Sequence, residues 1–392
     1  MKKIFTLATV AVLSLSLIAG CGTSGGTSSN GASSSGEIKV GGLFEKTGGA
    51  AQYGTAGLNG ALLAIEQQNA NGGVLGGKQI KLIEADNKSE PGESTAQASR
   101  LITSEKVVAM LGPMTTKTLK AIIPVVTQYK VPLVTPSGTD AALTVTDGKL
   151  NQWIFRACFI DDFQGNVGAT FAADTLRAKK AAIVIDTNGD YAKGLAKAFE
   201  DTFVKAGGQI VAKENYVAGD KAFQPILGRI KAQNPDVIYV PGYYNEVGLI
   251  VKQARELSIT VPMLGGDGWN GDETTKIAGA NYMTNVYYSD HVAMDDPSLV
   301  EFAKQYQAKY NETPTGFSAL GYDAAKMMIK AIETAGSTDP EKVRTALEGL
   351  KGLKGVTGDI TVDAATHNPS KSAVVLHYQD GKWAFASRVN PK

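Results

Sequence analysis

Three hydroxyl side chains, Thr116, Ser137 and Thr139, and one carboxylate, Asp267, stand just past short apolar runs, where an open α/β sheet forms its ligand crevice. Thr116 opens a helical stretch, so free N–H groups and the positive end of a helix dipole are offered to an anion there. Pro136-Ser137-Gly138-Thr139 follows the next apolar run and adds two hydroxyls beside a flexible glycine. Asp267, between Gly266 and Gly268, carries the charge to face an ammonium group, and Tyr191 and Tyr243 follow two further runs. Together they describe a clamp for a zwitterion, with an anion site on one side and a carboxylate on the other. Each residue also has a plainer use: Thr116 and Thr139 suit helix caps, the two tyrosines suit packing, and Asp267 suits a turn.

Positioning these groups requires strands that end where they begin. From Glu37 onward, short apolar runs alternate with stretches of helical period, the pattern of parallel sheets covered by helices. Residues 38–44 read as a strand, and Leu58, Leu62 and Ile65 then share a helical face that stops at Asn71-Gly72-Gly73. The rhythm repeats through strands at 79–84, 107–111 and 131–135, with helices beginning near Pro91 and Thr116. A second series follows 153–157, with strands at 181–185, 209–211, 236–240 and 262–264 and a helix over 191–205. Helices at 298–310, 319–334 and 340–350 precede a strand-rich tail whose Asp380-Gly381 predicts a hairpin. The expectation is an α/β protein of two lobes, since a chain of roughly 350 folded residues exceeds one ordinary core.

Catalytic constellations are missing from the sequence. His291, His367 and His377 lie far apart without metal-ligand spacing, and read as surface or hinge residues. No phosphate-cradling glycine loop follows a strand. Gly316-Phe317-Ser318-Ala319-Leu320 has Leu where a nucleophile elbow needs glycine, so Ser318 reads as a helix cap. The stretch beginning at Asp186 has Tyr191 and Lys197 where a calcium loop needs Gly and Glu. Asp161-Asp162 reads as a cap or surface pair. Neither an enzyme nor a cofactor is expected, although a lipid-anchored hydrolase is a third reading.

At the N-terminus, Lys2 and Lys3 precede an apolar stretch too short to span a bilayer, closed by Leu17-Ile18-Ala19-Gly20-Cys21. This reads as a signal peptide over 1–20 that ends at a lipid-attachment cysteine, Cys21. The Gly/Ser/Thr-rich segment through residue 36 is the composition of a flexible tether. With 39 Lys plus Arg against 38 Asp plus Glu, net charge draws the chain neither to nucleic acid nor to an anionic membrane. Cys158 alone remains after Cys21, so no internal disulfide is expected.

The residues 48–54, 71–78, 112–118, 135–139, 191–196 and Gly242-Tyr243 with Glu246 together resemble the branched-chain amino acid (leucine/isoleucine/valine) binding proteins of ABC transporters. The resemblance runs from about Glu37 to the C-terminus and implies the two-lobed periplasmic binding protein type 1 fold. In that fold each lobe is a mainly parallel sheet flanked by helices, and three segments form the hinge. It implies an N-terminal lobe of 37–158 and 292–356 and a C-terminal lobe of 159–291 and 357–392, with crossings near Phe159, His291 and Thr357. By the same resemblance Thr116, Ser137 and Thr139 take an α-carboxylate, Asp267 takes an ammonium with help from Ser137, Thr139 and Tyr243, and Tyr53, Tyr191 and Phe317 form side-chain and lid contacts.

Threonine at 116 and aspartate at 267 depart from the more familiar serine and glutamate, which leaves preference among amino acids open. The implied protein is an extracytoplasmic, lipid-anchored monomer that delivers an amino acid to membrane permease subunits. A sensor of the same fold, or a binder of amides or aromatic acids, is the alternative.

Overall fold

The computed structural model describes residues 36–389; the expected signal peptide, Cys21 and nearly all of the tether lie outside them. The chain opens with β1 (Ile38–Phe44), α1 (Ala51–Ala70), β2 (Ile80–Asp86), α2 (Pro91–Thr103), β3 (Ala109–Leu111), α3 (Thr116–Tyr129) and β4 (Leu133–Thr135). A small hairpin, β5 (Val145–Thr146) with β6 (Lys149–Leu150), precedes β7 (Ile154–Arg156). The five longer strands form a wholly parallel sheet in the order β2-β1-β3-β4-β7. The short, fully buried runs of β3, β4 and β7 are what a sheet covered on both faces demands, while the edge strand β2 is partly exposed.

The second series is α4 (Asp161–Thr170), β8 (Lys180–Asp186), α5 (Asp190–Lys205), β9 (Gln209–Tyr216), α6 (Gln224–Ala232), β10 (Val237–Tyr239), α7 (Tyr244–Glu256), β11 (Met263–Gly265), α8 (Asp272–Ala278) and β12 (Val286–Asp290). The chain continues through α9 (Val300–Tyr310), α10 (Gly316–Ala335), α11 (Pro340–Glu348), β13 (Leu353–Gly355), β14 (Gly358–Ile360), β15 (Ala373–Gln379) and β16 (Lys382–Val389). A seven-stranded sheet, β16-β15-β12-β11-β10-β8-β9, carries the second lobe. It is parallel except where β15 runs antiparallel to β12 and β16. Asp380 and Gly381, both at positive φ, make the tight β15–β16 turn.

Helices α9 to α11 return to the first lobe. In α10, Leu320, Ala324, Met328 and Ile332 join the core beneath β1 and β3, together with Leu58, Ala61 and Ile65 of α1. The two helices cross at backbone contact: a Cβ at Gly60 would lie 1.9 Å from the Ser318 carbonyl oxygen, and one at Gly321 would lie 2.0 Å from that of Gly57. Gly321→Val is therefore expected to cost about 3 kcal/mol or more of stability, at or above the usual range for overpacking. Denaturant unfolding checks this, and an unchanged midpoint would contradict the close crossing.

Three crossings join the lobes. The first follows β7 at Phe159, and the second leaves β12 at His291, after which Val292 packs with Leu63 and Leu299. The third is later than Thr357. Ile360 and Val362 belong to the first lobe's core, and His367 bonds to the Ile154 carbonyl and stacks on Phe155. The chain therefore enters the second sheet only past Lys371, whose ammonium still bonds to the Thr357 carbonyl at 3.1 Å. The expected boundary at 356/357 falls inside the β13–β14 hairpin and would assign β14 to the lobe it does not pack on.

Candidate functional site

The carboxyl ends of the parallel strands of the two sheets meet across a narrow cleft. Tyr53 Oη, at the start of α1, donates to the Gly268 carbonyl at 2.6 Å and accepts from the Tyr244 N–H at 3.2 Å. Asn245 Nδ2 donates to the Gly49 carbonyl, and Lys120 pairs with Asp190 at 2.6 Å on the rim. These contacts join opposite lobes, so the conformation is a closed one. They leave a cavity of only about 20 Å³ between the lobes, far below the roughly 300–1,000 Å³ typical of sites for drug-sized ligands, so a ligand of any size requires the lobes to part.

All eight residues singled out in the sequence line this space: Tyr53, Thr116, Ser137, Thr139, Tyr191, Tyr243, Asp267 and Phe317. On the first lobe, Gly112 allows the turn after β3: its φ of 83° suits glycine, and a Cβ would lie 2.0 Å from the Leu43 carbonyl oxygen. Thr115 is the N-cap of α3 and Thr116 its first helical residue, whose N–H has no partner within the helix. Ser137 Oγ donates to the Met114 carbonyl at 2.9 Å, and Thr135 Oγ1 to that of Pro113 at 2.6 Å, so the loops after β3 and β4 are locked together.

Opposite them, Asp267 begins a single helical turn over Asp267–Trp269, anchored by the fully buried Trp269, whose Nε1 donates to the Val240 carbonyl. Asp267 is 3% exposed and, among the described residues, is the only charged side chain lining the space. Tyr191 Oη donates to Asp267 Oδ1 at 2.8 Å and accepts from the Gly268 N–H at 2.9 Å. Burial pushes the Tyr191 hydroxyl well above its ordinary range, so it stays a donor. Tyr191 thus orients the carboxylate as well as covering the space, and its ring stacks on Tyr243 at 5.2 Å. Tyr53 packs on Tyr243 and Phe317, with ring centroids 5.6 and 4.7 Å away, giving an apolar wall.

Glu45 and Arg156, which act here, were not singled out in the sequence, and other residues have places that the sequence did not assign. Glu45, fully buried at the end of β1, accepts from the N–H groups of Met114 and Thr115 and from the hydroxyls of Thr115 and Thr118. Arg156, fully buried at the end of β7, donates to the carbonyls of Gly138 and Asp140 at 2.8 Å each and fixes the loop that carries Thr139. Of the surface-or-hinge reading of the histidines, the surface half fails for His291 and His367, which are buried, and the hinge half holds for His291, whose Nε2 lies 3.2 Å from Asp267 Oδ2. Asp161 is likewise a buried first-turn residue of α4, not a surface one, and burial raises its carboxyl well above the usual range. Ser318 is the third residue of α10 in a capping box with Thr315, not the cap itself. The Cys158 thiol, buried beside the hinge, is pushed up to about 12 by desolvation and is inert at neutral pH. Among the described residues no cluster suits a metal ion, and no helix is long and apolar enough to cross a membrane.

Asp290, next to His291, carries a pH consequence. Burial pushes its carboxyl up to about 8 against the downward pull of the His291 N–H at 2.6 Å and of Asn270. The unfolded chain releases this proton near 3.8, so the folded state holds a proton that the unfolded state lacks between these values. The resulting stability is complete below the unfolded value and is lost as pH rises through about 8. Asp290→Asn is expected to flatten the fall in denaturant midpoint over that window. A slope unchanged from the parent would exclude this carboxyl as its source.

The sequence profile of the periplasmic binding protein family matches residues 37–382. The chain is 33% identical over 351 residues to the Leu/Ile/Val-binding protein BraC3 of Rhizobium johnstonii, covering 88% of this chain and 93% of the relative. Its structure resembles that of LivJ, the branched-chain amino acid transporter substrate-binding protein from Streptococcus pneumoniae solved with isoleucine (TM-score 0.85, 39% identity, 91% of this chain and 100% of that one). It also resembles the leucine-binding protein LivK of Thermotoga maritima (TM-score 0.84, 34% identity, 90% and 99%). A profile match over nearly the whole folded chain, on a two-lobed α/β frame with an enclosed interlobe space, makes this protein a member of the periplasmic binding protein family.

Proposed function

We propose that this protein is the extracytoplasmic solute-binding component of an ABC importer, that it captures a branched-chain amino acid between its lobes, and that it delivers the ligand to a membrane permease. One observation carries the reading: among the described residues one carboxylate, Asp267, lines the narrow cleft and faces a helix N-terminus and hydroxyl loops beside an aromatic wall. A zwitterion buried there needs an acceptor at its ammonium and donors at its carboxylate, because an unpaired buried charge is very costly. Thr116, Ser137 and Thr139 take the carboxylate, Asp267 takes the ammonium, and Tyr53, Tyr191, Tyr243 and Phe317 surround the side chain. The names of the relatives agree with that ligand class. The protein acts by binding rather than by turnover, through hinge closure: contacts made only in the closed state shift the population toward it.

In this reading residues 1–20 are removed, Cys21 carries the lipid, the following tether frees the lobes from the membrane surface, and the protein works as a monomer. Calorimetric titration of a chain beginning at Glu37, unfolded and refolded to remove carried-over ligand, tests the binding step. One-to-one saturable binding of leucine, isoleucine or valine is the expected result. Folded protein that binds none of a full amino-acid panel would overturn it.

A further inference from the structure

We propose that His291 is the positioning residue for the Asp267 carboxylate and that it ties ammonium capture to the hinge, an inference that rests on the amino-acid reading above. Both oxygens of Asp267 are engaged: Oδ1 by the Tyr191 hydroxyl at 2.8 Å and Oδ2 by His291 Nε2 at 3.2 Å. A carboxylate only accepts, so the imidazole carries its proton on Nε2. Its Nδ1, buried and without a partner, is then the unprotonated nitrogen.

Two further contacts hold the residue. Its ring stacks on Phe159 with centroids 3.6 Å apart and planes 19° off parallel, and its backbone N–H is fixed by Asp290 Oδ1 at 2.6 Å. Phe159 lies in the first crossing between the lobes and His291 in the second, so the stack joins two strands of the hinge. The third crossing contributes Lys371, whose charge, like burial, disfavours a protonated ring, while Asp267 favours one; burial dominates and lowers the imidazole below its ordinary range.

A neutral imidazole matters for function. It orients Asp267 by a hydrogen bond without cancelling its charge, so the negative charge in the closed space is left for the ligand's ammonium. A protonated ring would be a resident counter-ion and would compete with that ammonium. Opening the hinge moves the crossing strands that carry His291 and Phe159, so the aim of the carboxylate and the angle between the lobes are linked.

The test compares leucine with its analogue lacking the amino group, 4-methylpentanoate, on the parent and on two variants. His291→Phe keeps a ring against Phe159 and removes the donor; His291→Gln keeps an amide donor near the Nε2 position. His291→Phe is expected to weaken leucine about tenfold or more, as loss of a hydrogen bond to a charged group does, while leaving 4-methylpentanoate unchanged. His291→Gln is expected to stay within about threefold of the parent for leucine. Equal losses for both ligands, or no loss in His291→Phe, would overturn the positioning role. A parent that binds leucine no better than 4-methylpentanoate would instead sink the ammonium reading of Asp267. Nitrogen-15 spectra of the ligand-free parent give an independent readout: an Nε2-protonated neutral ring is expected, and an Nδ1-protonated or cationic ring would overturn the proposal.

Discussion

Asp267→Asn is expected to weaken binding of a branched-chain amino acid by about a hundredfold or more, the scale on which truncating one partner of a buried charged pair acts. The amide has the shape of the carboxylate, its oxygen can still accept from the Tyr191 hydroxyl 2.8 Å away, and its NH2 can donate to His291 Nε2 once that neutral ring carries its proton on Nδ1, so the loop from Gly266 to Trp269 can keep its place. Trp269, fully buried and bonded to the Val240 carbonyl, holds that loop independently of the charge. What changes is the charge facing the ligand, because no other charged side chain among the described residues lines the space to neutralise an ammonium. Calorimetry measures the affinity, and thermal unfolding without ligand checks the fold. Affinity within a few-fold of the parent would remove Asp267 from the ammonium site. Loss of affinity for 4-methylpentanoate to the same degree would move the defect from charge to shape.

The positions lining the cleft were legible because two rules apply together: the β-then-helix rhythm marks where strands end, and an open parallel sheet places ligands at those ends. Thr116, Ser137, Tyr191, Tyr243 and Asp267 each follow a run that the pattern reveals, and each lines the enclosed space. Tyr53 and Phe317 sit at the starts of α1 and α10, away from such runs, and came from family resemblance. The groups that were not legible support the first set from behind. Glu45 is separated by about 70 residues from the α3 groups it binds, and Arg156 closes an apolar strand with no local sign that its partners are carbonyls. His291 was read as a crossing between the lobes, but its place beside Asp267 was not, because β12, with the mixed sequence Val286–Asp290, has neither a continuous apolar run nor clean alternation to mark the residue after it. The late third crossing was hidden for a similar reason. Thr357 lies in the turn of a short hairpin whose attachment to the first lobe depends on Asp323 of α10, which accepts from the Val356 and Thr357 N–H groups.

Glu45→Ala tests this buried support directly and is expected to have the second large effect. The carboxylate is fully buried and accepts at 3.0 Å from Met114 N–H, at 3.2 and 3.1 Å from the N–H and hydroxyl of Thr115, and at 2.5 Å from the hydroxyl of Thr118. It stands at the N-terminal end of α3, where a negative charge also meets the helix dipole. Alanine leaves these donors without their acceptor in a space closed to bulk water, a loss of about 3 kcal/mol or more. Glu45→Gln keeps the volume but turns an NH2 group toward donors, so it is expected to recover only part of that stability. Affinity should fall as well, because the loop that Glu45 fixes delivers Thr116 and, through the Ser137 bond to the Met114 carbonyl, the neighbouring hydroxyl loop. The two effects separate by measurement: denaturant unfolding without ligand reports the support, and calorimetry on the folded fraction reports the aim of the anion site. Unchanged stability in Glu45→Ala would mean that the four donors find other partners. Lost stability with undiminished affinity would mean that the anion site is set by α3 itself rather than by the carboxylate behind it.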